Sequence, residues 1–307
     1  MKKTLEILIP TYNRRDFLDK TLGHLAKEIR SLGQAERPSL LISDNGSTDG
    51  TDTFLESFQK ANKNLKIRLI LKEDNEGMEA NFATVLGETS SDYMLFLSDD
   101  DKLADGYLKF VIDSIQSENA PGVFIPGMEV VETDGRIRAP RRTFTFGIKR
   151  FEASRKSASY LSHFFHQMSG LVFLNDRRMV SQYLKSDHRN VYPFIFLGSW
   201  CVLSSGAILA PRYKTIVLEG NTKDWNYPKD GFICATLANF RMLDSLPYLV
   251  RSKFEIDFLR YQGFRLKAIQ GLRIPKMIQF VFSLKGPTTL TKIFMVFLVL
   301  KKKVMLL

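Results

Sequence analysis

Three consecutive carboxylates, Asp99, Asp100 and Asp101, are the residues of this sequence with the clearest chemical potential. They follow the apolar run 93–97, which is typical of a buried strand. Like charges this close together repel and raise one another's pKa, so the run calls for a nearby positive charge. Mg²⁺ and Mn²⁺ prefer oxygen ligands and are often shared between carboxylates and substrate phosphates. Such a metal would neutralise charge on a departing diphosphate.

A cap on the helix predicted over 103–117 is the other interpretation of this run, because acids favour helix N-termini. One aspartate satisfies a cap, so three in a row favour the metal.

Two other polar clusters follow apolar runs, at 11–14 and at 44–49. Each contains residues common in turns, so each also has a structural interpretation. In a binding site, Asp44 would accept a hydrogen bond from a nucleobase N–H and Tyr12 would stack on the base.

The elements that must position these clusters alternate between strand and helix. Short connections between them predict an α/β fold with a mostly parallel, doubly wound sheet. Ligands of such sheets bind beyond the carboxyl ends of the strands, where all three polar clusters lie. The predicted strands cover 5–9, 40–43, 67–71, 93–97, 122–125, 129–132 and 171–174, and the predicted helices cover 16–30, 49–59, 78–89 and 103–117.

The pattern changes twice along the 307 residues. We predict a ligand-binding half over 1–130, a second half over 131–240 that includes the apolar stretch 191–209, and a basic helical C-terminal region over 241–307. The charge supports the last boundary. Residues 258–307 contain ten Lys or Arg and no Asp or Glu, which leaves +1 of the net +11 for residues 1–257.

A basic and apolar C-terminal region suits an anionic membrane surface. Its interleaved Phe, Met, Ile and Leu favour the membrane over nucleic acid, the other usual partner of such charge. A helical subdomain with a solvated basic face is the alternative.

The remaining composition points to a cytoplasmic chain at the inner face of the cytoplasmic membrane. Glu6 interrupts any apolar signal-peptide core, and the longest apolar run, 293–300, is too short to span a bilayer. Cys201 and Cys234 form neither a zinc spacing nor a disulfide framework.

Taken together, the motifs resemble those of family 2 glycosyltransferases with the GT-A fold, a Rossmann-like α/β architecture. Residues 7–14 (Ile-Leu-Ile-Pro-Thr-Tyr-Asn-Arg) resemble the family's opening strand, and 41–51 its second strand and loop. Asn75-Glu76-Gly77 with Asn81 is similar to its Asn-x-Gly…Asn element, and 93–101 to the strand leading into its DxD motif. Order and spacing agree over 4–130.

The resemblance implies a metal-dependent transfer of one sugar from a nucleotide-diphosphate-sugar, with a UDP-sugar as the expected donor. It implies that residues 1–130 bind the nucleotide-sugar and residues 131–240 the acceptor, and we call these predicted segments the donor half and the acceptor half. Asp100 and Asp101 would hold Mn²⁺ or Mg²⁺. The residues implied in donor binding are Pro10, Tyr12, Asn13, Arg14, Asp44, Asn45, Gly77, Asn81, Asp99 and Asp100.

The family inverts the anomeric carbon and needs a general base on the acceptor hydroxyl. Many members supply it from a Glu-Asp pair that this sequence lacks after 170–174. We take Asp187 as the candidate base, with the acids Asp176, Asp224 and Asp230 and the histidines His166 and His188 as alternatives. The Gln-x-x-Arg-Trp motif of processive synthases is also absent, which favours transfer of a single sugar.

Two tryptophans could pack against an acceptor sugar, although a buried aromatic is the commoner role. Trp225 lies in a polar, turn-rich setting and is the acceptor candidate. Trp200 lies in an apolar stretch and is expected in the core.

The predicted function is a non-processive, inverting glycosyltransferase acting on a glycan or lipid-linked glycan acceptor in surface polysaccharide assembly. A glycan- or membrane-binding subunit that keeps the fold without catalysis is the alternative, motivated by the missing Glu-Asp pair. A nucleotidyltransferase is disfavoured, because no Gly-rich, basic triphosphate loop follows the first strand.

Overall fold

The computed structural model of the chain describes residues 2–132, 136–142, 147–219, 230 and 232–304. Its strands are β1 (Leu5–Thr11), β2 (Ser39–Asp44), β3 (Ile67–Leu71), β4 (Tyr93–Phe96), β5 (Val123–Glu132), β6 (Ile137–Arg142), β7 (Lys149–Phe151), β8 (Val172–Leu174) and β9 (Ala207–Glu219). Within these described residues they form one sheet of order β3-β2-β1-β4-β8-β5-β9-β7, with β6 paired to β5.

The helices lie on both faces of this sheet. They are α1 (Arg15–Arg30), α2 (Thr51–Ala61), α3 (Met78–Glu88), α4 (Tyr107–Ile115), α5 (Arg155–Leu161), α6 (Arg177–Lys185), α7 (Pro193–Ser205), α8 (Ile233–Arg241), α9 (Tyr248–Tyr261), α10 (Lys267–Gln270), α11 (Ile274–Ser283) and α12 (Thr289–Val304). The prediction of an α/β sheet with a helical C-terminal region is confirmed.

The first four strands are parallel and pair in the order β3-β2-β1-β4. β1 is apolar on both faces because helices cover both: Ile7 and Ile9 pack with α1 and α4, and Leu8 packs on the opposite side. Glu6 is a buried charged residue near the start of β1. Its buried carboxylate accepts hydrogen bonds from Ser39 and from Arg68 of β3.

The second half of the sheet is mixed. β8, which covers the predicted strand at 171–174, runs antiparallel between β4 and β5, whereas β5 and β9 are parallel. The two strands predicted at 122–125 and 129–132 are one strand, β5. A register shift against β9 between Pro126 and Gly127 explains the interruption in the sequence pattern.

Two helices begin later than predicted. α4 begins at Tyr107 because Lys102 exchanges backbone hydrogen bonds with Ile216 and Gly106 has a φ of +75°, so 102–106 is not helical. α2 begins at Thr51 because Gly50 has a φ of +82°, while Asp49 accepts the Thr51 N–H. The aspartate run is therefore not the cap of α4, since five residues separate Asp101 from its first turn.

The apolar stretch at 191–209 forms α7 followed by the start of β9. Pro193 occupies the first turn of α7, and Gly206, with a φ of +72°, ends it. A side chain at residue 206 would meet the carbonyl oxygen of Phe151 at 2.3 Å, so the turn also requires the absence of a Cβ.

The C-terminal helices share the main core instead of forming an appendage. Met277 of α11, with Met295 and Val299 of α12, is fully buried in the same cluster as Phe96 of β4. The predicted boundaries at 130 and 240 stay predictions. The main core contains buried side chains from all three predicted segments. Among the described residues, no helix combines the length and apolar character that crossing a membrane requires.

Candidate functional site

The carboxyl ends of β1, β2 and β4 lie side by side, as predicted. The backbone N–H of Asn45 donates to the carbonyl of Thr11 at 3.0 Å, and the N–H of Leu97 donates to the carbonyl of Leu8 at 3.1 Å. The three polar clusters thus meet at one edge of the sheet.

Asn81 of α3 fastens this edge together. Its buried amide nitrogen donates to the carbonyls of Thr11 at 3.2 Å and Ser43 at 3.0 Å, and its amide oxygen accepts the Ser43 hydroxyl at 2.6 Å. One side chain therefore ties α3 to the ends of β1 and β2.

The loop after β2 is held against the loop before α3. The Asn45 amide donates to Asn75 Oδ1 at 2.7 Å and to the Gly77 carbonyl at 3.2 Å. Gly46 has a φ of +74°, and a Cβ there would lie 2.6 Å from the carbonyl carbon of Asp74. The sequence pattern Asp-Asn-Gly is thus required for two loops to approach this closely.

Asp44 and Asn13 shape the loops that carry them. The Asp44 carboxylate accepts the N–H of Ser47 at 3.1 Å and also its hydroxyl. Asn13, with a φ of +51°, accepts the Thr48 N–H at 2.8 Å and donates its own N–H to the Ser47 hydroxyl at 2.8 Å. Asp49 holds the turn before α2: although partial burial acts to raise its pKa, hydrogen bonds from Thr51 and the Arg15 N–H lower it.

The three aspartates after β4 are buried, with 8%, 2% and 6% of each residue exposed. Each accepts a hydrogen bond from a neighbouring hydroxyl. Asp99 accepts from Thr11 at 2.8 Å, Asp100 from Ser98 at 2.7 Å, and Asp101 from Ser169 of the segment before β8. The aspartate run is thus held by hydrogen bonds from β1, through Thr11, and from the segment before β8, through Ser169.

The donor set of the aspartate run fits a hard divalent cation. It consists of carboxylate oxygens, and the contacts from Ser98 and Ser169 come from neutral hydroxyls that fix the carboxylates in place. Mg²⁺ and Mn²⁺ select such oxygen ligands.

A cleft of about 330 Å³ opens beside Asp99, and we call it the central cleft. Its walls come from the ends of β1, β2 and β4, from α3, and from the start of α7. The lining residues are Pro10, Thr11, Tyr12, Arg14, Asn45, Asn75, Gly77, Met78, Glu79, Asn81, Phe82, Ser98, Asp99, Met168, Asn190, Val191, Pro193 and Phe194.

The central cleft brings together most of the residues predicted to bind the donor. Those that line it are Pro10, Tyr12, Arg14, Asn45, Gly77, Asn81 and Asp99. The other four are not part of the lining: Asp44, Asp100 and Asp101 are buried next to it, and Asn13 is exposed in the loop after β1. Trp225 and Asp224 fall outside the described residues. Trp200 is partly buried against Phe196, as expected of a core residue.

The α7 side of the central cleft was not predicted. Phe194 packs edge-on against Phe82 at 4.9 Å between ring centroids, and Phe82 stacks on Phe96 at 4.9 Å. Both rings belong to the main core, so the floor of the cleft is continuous with it. The sequence signal was the Pro at 193, which marks the first turn of a helix facing the site.

The candidate bases named from the sequence lie apart from this lining. Asp187 is exposed, in the segment between α6 and α7. Asp176 caps α6 and accepts from Trp200; although partial burial acts to raise its pKa, these hydrogen bonds lower it. Asp230 accepts the N–H groups of Phe232 and Cys234 at the start of α8.

The two histidine alternatives also lie outside the cleft lining. His166 contacts the carbonyl of His163 and the amide of Gln262. His188 lines a second cavity instead.

Glu79, at the start of α3, is a carboxylate in the central cleft that the sequence analysis missed. Its Oε1 lies 3.3 Å from Nε of Arg189, a partly exposed ion pair that bridges α3 and the segment before α7. Within the described lining, Glu79 and Asp99 are the carboxylates that face the cleft.

A separate group, His24, Glu28 and Asp105, also has the composition of a metal site. Its side chains already serve the turn before α4: His24 contacts the Leu103 carbonyl, and Glu28 accepts the Gly106 N–H. Partial burial, assisted by Lys102, lowers the pKa of His24. This group therefore has a structural role in holding α1 to the chain after the aspartates.

The thiols are poor nucleophile candidates. Burial raises the pKa of Cys201 well above its usual range and that of Cys234 to about 12. The thiolate, which is the reactive form, is therefore scarce at neutral pH.

The family model described as "Glycosyl transferase family 2" matches residues 6–175, more than half of the chain. The abequosyltransferase RfbV of Salmonella typhimurium is 24% identical over 250 residues, which cover 77% of this chain and 72% of that protein. The Campylobacter jejuni GalNAc(5)-diNAcBac-PP-undecaprenol beta-1,3-glucosyltransferase is 25% identical over 134 residues, covering 43% of this chain and 40% of that protein.

Two solved structures share the fold. S. aureus TarS 1–349 in complex with UDP-GlcNAc has a TM-score of 0.67 at 17% identity and covers 91% of this chain and 79% of its own. The mannosyltransferase PcManGT of Pyrobaculum calidifontis, in complex with GDP-Man and Mn²⁺, has a TM-score of 0.54 at 11% identity and covers 99% and 88%. These likenesses confirm the predicted GT-A architecture. The chain spans less than half the length of some of the curated relatives that it matches.

Asn81→Leu should weaken the fold, because the change leaves two buried carbonyls and one hydroxyl without their partner. We expect the free energy of unfolding to fall by about 1–3 kcal/mol, measured as a lower urea midpoint. Asn64→Leu, at an exposed position, is the control and should shift stability by less than about 0.5 kcal/mol. Equal midpoints for the two variants would contradict the bracing role of Asn81.

Proposed function

This chain belongs to glycosyl transferase family 2, and we propose that it transfers a single sugar from a nucleotide-diphosphate-sugar to a glycan hydroxyl, with inversion at the anomeric carbon. The observation that carries the proposal is the convergence of three strand-end loops on one cleft beside the aspartate run. The pattern Gln-x-x-Arg-Trp is absent from the sequence, which supports a non-processive reaction.

The donor would lie along the edge formed by β1, β2 and β4. Tyr12, 39% exposed at the mouth of the cleft, offers a ring on which a nucleobase can stack. Asn45 and Asp99 offer polar groups beside it. A UDP-sugar is the proposed donor, supported by the TarS neighbour that was solved with UDP-GlcNAc.

Asp100 and Asp101 would hold Mn²⁺ or Mg²⁺, as the hard oxygen donors of the run allow. The cation would supply positive charge against the diphosphate as the sugar departs. The protein's own contribution is to hold both carboxylates in place through the Ser98 and Ser169 hydroxyls. The neighbour solved with GDP-Man and Mn²⁺ supports this assignment.

Asp101→Asn tests the metal assignment and the function together. We expect wild-type protein to consume a nucleotide-sugar only with Mn²⁺ or Mg²⁺ present. The variant should lose about 10²–10³-fold in rate, because a bound cation stabilises the departing charge by several kcal/mol and the variant would hold it poorly. The measurement is nucleoside diphosphate release across a panel of donors. Asp19→Asn, at an exposed acid of α1, is the control and should keep its rate.

A nucleotide that raises the melting temperature but is never consumed would favour the non-catalytic binding subunit. One feature of the described lining supports that alternative. The start of α7 contributes Pro193 and Phe194 to the cleft but no carboxylate that would act as a base.

The general base has two candidates. Asp187 follows from the sequence, and its exposed loop would have to turn toward the cleft to act. Glu79 already lines the cleft, where its carboxylate forms an ion pair with Arg189.

Replacing each candidate by its amide distinguishes them. Loss of the base should lower kcat by about 10²–10⁴-fold with little change in donor binding. We expect this of either Asp187→Asn or Glu79→Gln and not of both, measured as kcat alongside the donor's dissociation constant. A loss of donor binding without a fall in kcat would assign the affected residue to positioning.

The acceptor would be a glycan on a lipid carrier, reached at the inner face of the cytoplasmic membrane. Two helices support a membrane contact, because each exposes an apolar stripe: Ile274, Ile278 and Phe282 on α11, and Leu290, Ile293 and Phe297 on α12. We call these six side chains the α11–α12 face. Lysines and arginines flank it, and no acid occurs in 258–307. Anionic lipid attracts this combination.

Point variants are the proper test of this face. Removing the residues after 290 would also remove Met295 and Val299 from the core, so a truncation would change stability together with the exposed face. Ile293→Ser with Phe297→Ser should weaken binding to phosphatidylglycerol-containing vesicles by about tenfold or more, because each apolar side chain contributes about 1.5–3 kcal/mol when buried.

The matched control is Ile137→Ser with Ile148→Ser, two exposed apolar residues elsewhere. Co-sedimentation measures the binding, which should fall with added salt and be weaker on phosphatidylcholine alone. Identical sedimentation of the two double variants would remove the support for this face.

A further inference from the structure

A second cavity, of about 480 Å³, is lined by Ser186 and His188, from the same segment, 186–192, that contributes Asn190 and Val191 to the central cleft. Four elements enclose it: the end of α6, this segment, the end of α8 and the first turns of α9. Its lining includes Lys185, His188, Arg241, Arg251, Gln182 and Asp244. We call it the α6–α9 cavity.

The charge of the α6–α9 cavity is positive. Lys185, Arg241 and Arg251 contribute three cations, and Asp244 contributes the opposing anion. The Asp244 carboxylate is held by the Gln182 amide at 2.7 Å. In the part of the chain that the structure describes, neither the Lys185 ammonium nor the Arg241 guanidinium forms an ion pair, so both can serve a ligand.

Arg251 is the fixed member of this set. Its Nε lies 3.4 Å from the buried carboxylate of Glu255, one turn further along α9. Glu255 in turn accepts the Thr288 N–H at 2.8 Å and the Thr288 hydroxyl at 3.1 Å. The guanidinium is therefore positioned by the core, whereas Lys185 and Arg241 approach from exposed helix ends.

Clustered guanidinium and ammonium groups recognise phosphate. Arginine presents a planar fork of N–H donors that matches phosphate oxygens, and lysine adds a mobile point charge. His188 adds a ring nitrogen that can donate. A carboxylate ligand would use the same donors, but three cations around a single opening match the higher charge of a phosphate or diphosphate.

The two cavities are close neighbours along the chain. His188 lines the α6–α9 cavity and Asn190 lines the central cleft, so their Cα atoms lie within about 7 Å of each other. Arg189 stands between them and pairs with Glu79 in the cleft wall. A ligand with a phosphate in one cavity can therefore extend around this segment toward the other.

We propose that the α6–α9 cavity binds a phosphate or diphosphate group, and that in the working enzyme this group belongs to the acceptor. The assignment to the acceptor rests on the proposed transferase function, whereas phosphate binding itself does not. A lipid headgroup presents the same chemistry, because it also carries a phosphate. It is the other source to test, since α9, which contributes Arg251 to the cavity, packs against α12.

The test measures binding of inorganic pyrophosphate to the full chain without divalent metal. Wild type should show saturable binding by calorimetry, and Lys185→Gln with Arg241→Gln should weaken it at least tenfold. Lys20→Gln with Lys63→Gln removes the same charge from exposed positions on other elements and should leave binding unchanged. Asp101→Asn should also leave it unchanged, which separates this cavity from the aspartate run.

A second measurement identifies the molecule that carries the phosphate. If pyrophosphate does not bind but the Lys185/Arg241 variant loses affinity for phosphatidylglycerol vesicles relative to the Lys20/Lys63 control, the group is a lipid headgroup. The proposal is overturned if the two double variants behave alike toward both pyrophosphate and vesicles. Neither binding measurement uses turnover of the donor. A negative binding result would therefore leave the transferase proposal intact, and an absence of donor turnover would leave the phosphate-binding proposal to these measurements.

Discussion

The site depends on hydrogen bonding among polar groups that are buried where β1, β2 and β4 end. A polar group removed from water without a partner costs several kcal/mol, so the hydrogen bonds that these buried groups form decide whether the arrangement is stable. The Asn81 amide satisfies both neighbouring strands at once, and the Thr11 hydroxyl satisfies Asp99. Because these bonds cross from α3 to the sheet and from β1 to β4, the loops of the central cleft keep one arrangement. That rigidity allows three adjacent carboxylates to be held in one place.

The donor half was largely predictable, because its information is local. Each strand is a short apolar run ending in polar residues, and the parallel order follows from the helices between them. Gly46 belongs to a motif that the sequence analysis recognised. Its positive φ explains why that position of the motif is a glycine. The errors were at boundaries: neither the Lys102–Ile216 backbone pairing nor the delayed start of α4 is visible locally, since the partner lies more than a hundred residues away.

The acceptor half was less predictable, because non-local packing decides it. The segment around Phe194 has the composition of a core strand, yet it forms a helix whose first turn faces the cleft. Nothing in the sequence around Glu79 marks it as a site residue, because its partner Arg189 is more than a hundred residues away along the chain. The C-terminal helices show the same limit: their charge was evident in the sequence, whereas the burial of Met295 and Val299 was not.

The burial of Met295 and Val299 fixes the position of α12 relative to the α6–α9 cavity. Through Glu255, α9 fixes both Arg251 in the α6–α9 cavity and Thr288 at the start of α12. The apolar stripe of α12 faces outward from the helix side that packs into the core, so its direction relative to the cavity is set by the fold. A bilayer touching the α11–α12 face would then meet a protein whose cationic cavity has a defined orientation. Phosphate at the lipid surface and a sugar hydroxyl extending from it could be positioned together, which a flexible basic tail could not achieve.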